Sequence, residues 1–166
     1  MATKRGGTPA ILALTATGAE FAVHEFAHDP AERNYGLAAA AALGAEPERV
    51  FKTLVAEVVD SNGAVSHAVG IVPVTEQLSL RELATVLGAK RAEMCDPVVA
   101  QRLTGYVVGG ISPFGQKRLL PTVLDETCVL FETIFVSGGK RGLDLELDPQ
   151  VFVDVLDARI APIATR

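Results

Sequence analysis

The sequence predicts a mixed α+β fold in which short strands outnumber helices. Three observations carry this. Hydrophobic residues make up 49% and charged residues 21% of the 166 positions, enough for a sizeable core and too balanced for disorder. Runs with strand character are short, bounded by Gly, Pro and Asn, and do not alternate evenly with helices, which argues against a doubly wound sheet. No repeat, linker or low-complexity block interrupts the chain, so residues 1–166 read as one domain. Aromatics are only 5% and Trp is absent, so Ala, Val, Leu and Ile must fill the core.

In chain order, Thr8-Pro9 opens a helix, with Thr8 as cap and Pro9 where a missing N–H costs nothing; Gly18 ends it. Phe21 to Phe26 reads as a strand, and His28-Asp29-Pro30 as a loop. Tyr35 to Leu43 is an Ala-rich helix stopped by Gly44. Pro47 starts a short helical turn. Val50–Val59 and Val65–Pro73 form a hairpin around Ser61-Asn62-Gly63, since Asn-Gly tolerates the positive φ that tight turns need. Ser79-Leu80-Arg81-Glu82 is a capping box for a helix to Leu87, with Ser and Glu each satisfying an orphan amide. Ala92–Met94 is a short strand, and Asp96-Pro97 caps a helix through Thr104. Tyr106–Val108 reads as a strand before the long loop Gly109–Lys117. Strands follow at Pro121–Leu124 and Thr133–Val136, then a turn spanning Ser137–Gly142. In Leu143–Leu147, leucines alternate with Asp144 and Glu146, the pattern of a half-buried strand. Asp148-Pro149 caps a last helix to about Leu156.

Charge and cysteine content narrow the function. A net charge of -5 argues against coating nucleic acid by bulk charge, while leaving room for a local basic patch. Cys95 and Cys128 are too few for a disulfide framework, which fits a reducing compartment. Met1 to Gly7 is basic but is not followed by a long apolar run. The Ala-rich stretch Leu37–Leu43 is far short of the ~20 residues that span a bilayer, so a soluble cytoplasmic protein is expected.

A few constellations could carry chemistry. Lys52, set in Val50-Phe51-Lys52-Thr53-Leu54, is either a solvated side chain or a charge aimed into a pocket, where it would hold an anion or a carbonyl oxygen. Gly109–Lys117 is either a wide turn or a place where backbone amides gather as an anion nest; its spacing is not that of a P-loop. His24 and His28 share an i, i+4 spacing, but strand-like neighbours and Pro30 speak against a metal site. No Gly-x-Ser-x-Gly elbow is present, and neither cysteine has an obvious base beside it. The pairs Lys90-Arg91, Lys117-Arg118 and Lys140-Arg141 are solvated faces or phosphate contacts.

Three motifs, Val50–Leu54, Gly105–Lys117 and Glu132–Leu143, in that order resemble the YbaK/EbsC family, which is related to the editing domain of bacterial prolyl-tRNA synthetases. The likeness runs from Thr8-Pro9 to the last helix and is nearest to the Cys-tRNA(Pro) deacylase branch. It implies a mixed, partly barrel-like β-sheet surrounded by helices. It also implies hydrolysis of the ester that joins a wrongly attached cysteine to tRNA(Pro); no cofactor and no metal are expected. Lys52 matches the family's essential lysine. Gly109 and Gly110 match the backbone that faces the reacting ester. Phe26, Thr53, Ile111, Ser112, Pro113, Ser137, Gly138 and Asp144 match substrate-binding positions. Relatives often carry Tyr where Phe26 stands, so a hydroxyl is absent here. The resemblance further implies that the substrate's own thiol attacks its ester, and that a prolyl-tRNA synthetase is a possible partner. Two competing expectations are a deacylase for another mischarged tRNA, such as Ala-tRNA(Pro), and a non-catalytic tRNA- or synthetase-binding module.

Overall fold

A computed structural model describes residues 7–165. Most of the basic N-terminal stretch lies outside the described residues. Among these described residues five α-helices are present: α1 Pro9–Thr17, α2 Tyr35–Leu43, α3 Leu80–Leu87, α4 Pro97–Thr104 and α5 Pro149–Leu156. The strands are β1 Ala22–Glu25, β2 Phe51–Val59, β3 Val65–Pro73, β4 Gln77–Leu78, β5 Arg91–Met94, β6 Thr122–Asp125, β7 Ile134–Lys140, β8 Leu143–Leu147, β9 Arg159–Ala161 and β10 Ala164–Thr165.

Caps set the helix starts. Thr8, Asn34, Ser79, Asp96 and Asp148 each accept a hydrogen bond from a first-turn amide. The reciprocal half of the Ser79–Glu82 box is not made, because the Ser79 amide donates instead to the Ile163 carbonyl at 2.7 Å.

The larger sheet has strand order β5-β2-β3-β6-β9, antiparallel across β5, β2 and β3 and parallel from β3 to β9. A second, antiparallel sheet has order β1-β8-β7. One parallel bridge, Val50 with Phe135, joins the two. The main core lies on the face carrying Phe51, Val55, Val69 and Ile71 of the first sheet and Ile134, Val136 and the three β8 leucines of the second, closed by α1 and α5. On the other face, α3 buries Leu83 against Ala56 and Val72, and α2 buries Ala40 against Val50, Val74 and Phe135.

Several expectations are corrected. Tyr106–Val108 is not a strand: Gly105 (φ +84°) ends α4, Tyr106 is buried with its hydroxyl donating to the Phe114 carbonyl at 2.6 Å, and the chain turns through Gly109 (φ +87°). The turn predicted over Ser137–Gly142 is mostly strand. β7 continues to Lys140 through a bulge, leaving the reversal to Arg141-Gly142. The hairpin loop spans residues 60–64. Asp60 Oδ1 accepts from the amides of Asn62 and Ala64, and Gly63 alone takes the left-handed conformation. Strands β4, β9 and β10 were not foreseen. Buried Asp125 anchors the last of them, accepting from the amides of Ile163 at 2.9 Å and Ala164 at 3.0 Å.

Candidate active site

The site begins with an unfinished strand edge. The Val50 carbonyl accepts from the Val74 amide beside β3, whereas the Val55 carbonyl accepts from the Cys95 amide on the opposite side. Backbone groups alternate sides along a strand, so the Thr53 amide and carbonyl point away from β3. β5 pairs only with Ala56–Val59 and the Cys95 amide reaches the Val55 carbonyl, which leaves the edge of β2 open around Thr53. Past the Val50–Phe135 bridge, β7 pairs with β8 and not with β2, so the two sheets part. A cavity of about 730 Å³ borders that opening.

Lys52 and Thr53 line the cavity from β2; Ser137 and Asp144, cross-strand partners in β7 and β8, line it from the other sheet. Further wall comes from Phe26 and the loop leading to Tyr35, and from Val108, Gly109 and Ile111. The end next to β5 and α4, with Val55, Met94, Pro97 and Ala100, is apolar.

The electrostatics are those of a site kept unpaired. The Lys52 ammonium has no hydrogen-bond or ion-pair partner among the described residues, and burial pushes it below the usual lysine range. Asp144 is 6% exposed, its carboxylate likewise has no partner among the described residues, and burial raises it to about 7. Thr53 is 8% exposed, and its hydroxyl oxygen is buried without a hydrogen-bond partner. The Gly109 and Ile111 amides donate to no group among the described residues. Groups of this kind are costly to bury unless a ligand satisfies them.

Comparison with known proteins decides the family. The profile of the aminoacyl-tRNA editing domain matches residues 31–155. The chain belongs to the aminoacyl-tRNA editing family. Over 127 residues it is 39% identical to EbsC of Enterococcus faecalis, described as a candidate Cys-tRNA(Pro)/Cys-tRNA(Cys) deacylase, covering 76% of this chain and 75% of that one. Over 106 residues it is 37% identical to ProXp-y of Escherichia coli, a multifunctional Ser/Thr-tRNA deacylase, covering 64% of this chain and 60% of that relative. A solved structure of a candidate trans-editing enzyme for prolyl-tRNA synthetase superposes with a TM-score of 0.79 at 25% identity, over 95% of this chain and 96% of the other.

In this editing-family chain, the cavity gathers Phe26, Lys52, Thr53, Gly109, Ile111, Ser137 and Asp144 from the positions singled out in the sequence. Four others stay outside its wall. The Gly110 amide donates to the Val107 carbonyl at 2.9 Å, so the expected Gly109-Gly110 pair of free donors is not formed; the open amides belong to Gly109 and Ile111. Ser112 is fully buried, its hydroxyl accepting from the Phe114 amide and its carbonyl from Gln116. Pro113 borders a separate cleft of about 90 Å³. The Gly138 carbonyl is taken by the Thr8 hydroxyl at the start of α1.

Two neighbours were not singled out as site residues in the sequence. Tyr35, read only as a helix residue, lies in the wall. Arg141, read as a solvated or phosphate-binding charge, is half-buried and donates to the Val108 carbonyl. His24 is committed elsewhere, its Nε2 lying 2.9 Å from Glu146. No helix among the described residues is long and apolar enough to cross a membrane.

Proposed function

We propose that this protein is a trans-editing deacylase that clears wrongly attached cysteine from tRNA(Pro), with residues 1–166 acting as the editing unit. Family membership and the curated relatives support the coarser statement: an aminoacyl-tRNA deacylase, a hydrolase acting on the ester between amino acid and terminal ribose. The likeness to EbsC supports cysteine as the cargo.

The observation that carries the mechanism is one cavity holding an unpaired ammonium, a buried carboxyl near neutrality and open amides, with no activated nucleophile. The Cys95 thiol is pushed up, by burial first and then by Glu57 and Asp96. The Ser137 hydroxyl accepts from the Gly139 amide. The resemblance to the Cys-tRNA(Pro) deacylase branch implies an attacking group on the substrate itself, and the site offers it a base. Asp144 takes the proton from the substrate thiol, whose ordinary pKa of about 8.5 is close enough for efficient transfer. The thiolate sulfur bonds to the ester carbonyl carbon. Charge on the carbonyl oxygen is met by Lys52 and the Gly109 and Ile111 amides. The carbon–oxygen bond to the ribose then breaks, and the ribose oxygen recovers the proton. Free tRNA leaves with a cyclic thiolactone, which water opens to cysteine. Holding the sulfur near its own carbonyl is the protein's main contribution.

The likeness to the Ser/Thr-tRNA deacylase favours a second reading, in which a substrate hydroxyl is accepted as well. One panel separates the readings: deacylation of Cys-, Ser-, Thr-, Ala- and Pro-tRNA by wild type and Lys52→Ala, with and without prolyl-tRNA synthetase. Wild type is expected to prefer Cys-tRNA, and Lys52→Ala to lose activity by about 100-fold or more. Full activity in Lys52→Ala would remove that lysine from the mechanism, and equal rates on Ser-tRNA would remove the thiol. Acceleration by the synthetase supports its role as partner; no effect and no co-purification would remove it.

A further inference from the structure

Three cavity-lining segments meet at one side chain. Arg141, in the β7–β8 turn, donates from Nε at 3.0 Å and from Nη2 at 2.6 Å to the Val108 carbonyl. The same guanidinium lies over the Tyr35 ring, 4.3 Å from its centre, at the start of α2. Between them passes Gly109 at φ +87°, where a Cβ would come within 2.6 Å of the tyrosine ring and 2.8 Å of Arg141 Nε. Next to it, a Cβ on Gly110 would sit 2.8 Å from the Lys140 Cα. Gly109 is thus pressed between an aromatic ring and a guanidinium fork, and Gly110 against a neighbouring main chain.

Arg141 is committed, which removes it from the free cations that a tRNA phosphate could use. Its planar fork grips one carbonyl with two N–H groups while its face stacks on an aromatic ring, a combination that lysine cannot reproduce. The gripped carbonyl immediately precedes Gly109, and the Gly109 and Ile111 amides are open donors on residues of the cavity wall. A shift of the loop by about 1 Å would misaim those donors, an error that can cost about 100-fold in rate.

We propose that Arg141 is a positioning residue for the deacylation. By clasping the Val108 carbonyl and lying on Tyr35, it sets the aim of the Gly109–Ile111 backbone toward the reacting ester. This rests on the deacylase reading above. The clasp acts on the loop and not on the cargo, so its loss lowers kcat and leaves KM and the salt dependence of KM nearly unchanged.

The test compares wild type, Arg141→Lys and Arg141→Gln in thermal melts, in steady-state deacylation of Cys-tRNA(Pro) over a range of salt, and in amide hydrogen exchange. Arg141→Lys is expected to melt within a few degrees of wild type. Its kcat should fall by about 10- to 100-fold at unchanged KM. Exchange should quicken at Val108 and Gly110, whose amides are bonded to Gln101 Oε1 and the Val107 carbonyl. Added guanidinium should restore part of the activity of Arg141→Gln. If Arg141→Lys keeps wild-type kcat, and Arg141→Gln raises KM and flattens the salt dependence, the arginine is a phosphate contact and the proposal is overturned. Unchanged exchange at Val108 and Gly110 overturns it as well, whatever the kinetics. A wild type inactive on every charged tRNA sinks the deacylase reading instead, and the exchange data still decide whether the clasp holds the loop.

Discussion

Asp144 shows how a residue's burial turns a surface letter into a chemical group. In the alternation of Leu143–Leu147 it occupies a position that a half-buried strand exposes to water, yet the second sheet turns that face into the cavity and leaves it 6% exposed. Burial therefore pushes its carboxyl up to about 7, well above the ordinary aspartate range. The folded state holds this proton more tightly than the unfolded chain, so the associated stability is full below pH about 4 and is lost as pH rises through about 7. Asp144→Asn imitates the protonated form. It is expected to equal wild type in acid and to exceed it by roughly 2–4 kcal/mol above neutrality, as chemical denaturation at several pH values would read. The same variant should lose most deacylation, because the amide accepts no proton from the substrate thiol; an active Asp144→Asn would exclude the residue as the base. Lys52 was legible as a candidate because a lone lysine in an apolar strand run is unusual. The acidity of Asp144 was not legible, since burial depends on which face the second sheet turns inward.

At the scale of elements, the site depends on how two sheets are joined and then kept apart. The join is the Val50–Phe135 bridge, and a polar cluster secures it. Arg49, just before β2, donates to the Thr133 carbonyl and hydroxyl and to Glu146, and lies 5.1 Å over the Phe135 ring. Glu146 also accepts from Thr133 at 2.6 Å and pairs with His24. These contacts, led by the Thr133 hydroxyl, hold the Glu146 carboxyl below the usual range. Its contribution is therefore present at neutral pH and lost as pH falls through that lowered value. Glu146→Gln is expected to cost about 1–2 kcal/mol at pH 7 and little in strong acid, measured by urea denaturation. A deficit that persists undiminished in acid would point to packing instead of charge. Caps and hairpin were readable from local chemistry: Thr8-Pro9, Asp96-Pro97 and Asp148-Pro149 all start helices, and Gly63 sits in the first hairpin. What escaped was non-local. Strands β9 and β10 are too short to show a period, and β10 is held through Asp125, 38 residues before Ile163. The Ser79–Glu82 box failed for a related reason, since a carbonyl from that distant segment took the amide.

At the scale of the molecule, the mixed sheets and surrounding helices leave a large cavity where the two strand systems diverge, and Lys52, Thr53 and Asp144 meet there without partners among the described residues. The net charge of -5 offers little general attraction for tRNA, so specificity must come from the aminoacyl end held in that cavity and, as proposed above, from a partner that delivers it. The central claim is that the protein positions while the cargo's sulfur cleaves. It is tested most directly by single-turnover deacylation of tRNA(Pro) charged with cysteine and, in parallel, with S-methylcysteine. The account predicts rapid release of cysteine and no enzyme-dependent release of the methylated residue. Comparable release of both would contradict it, because a capped sulfur cannot attack.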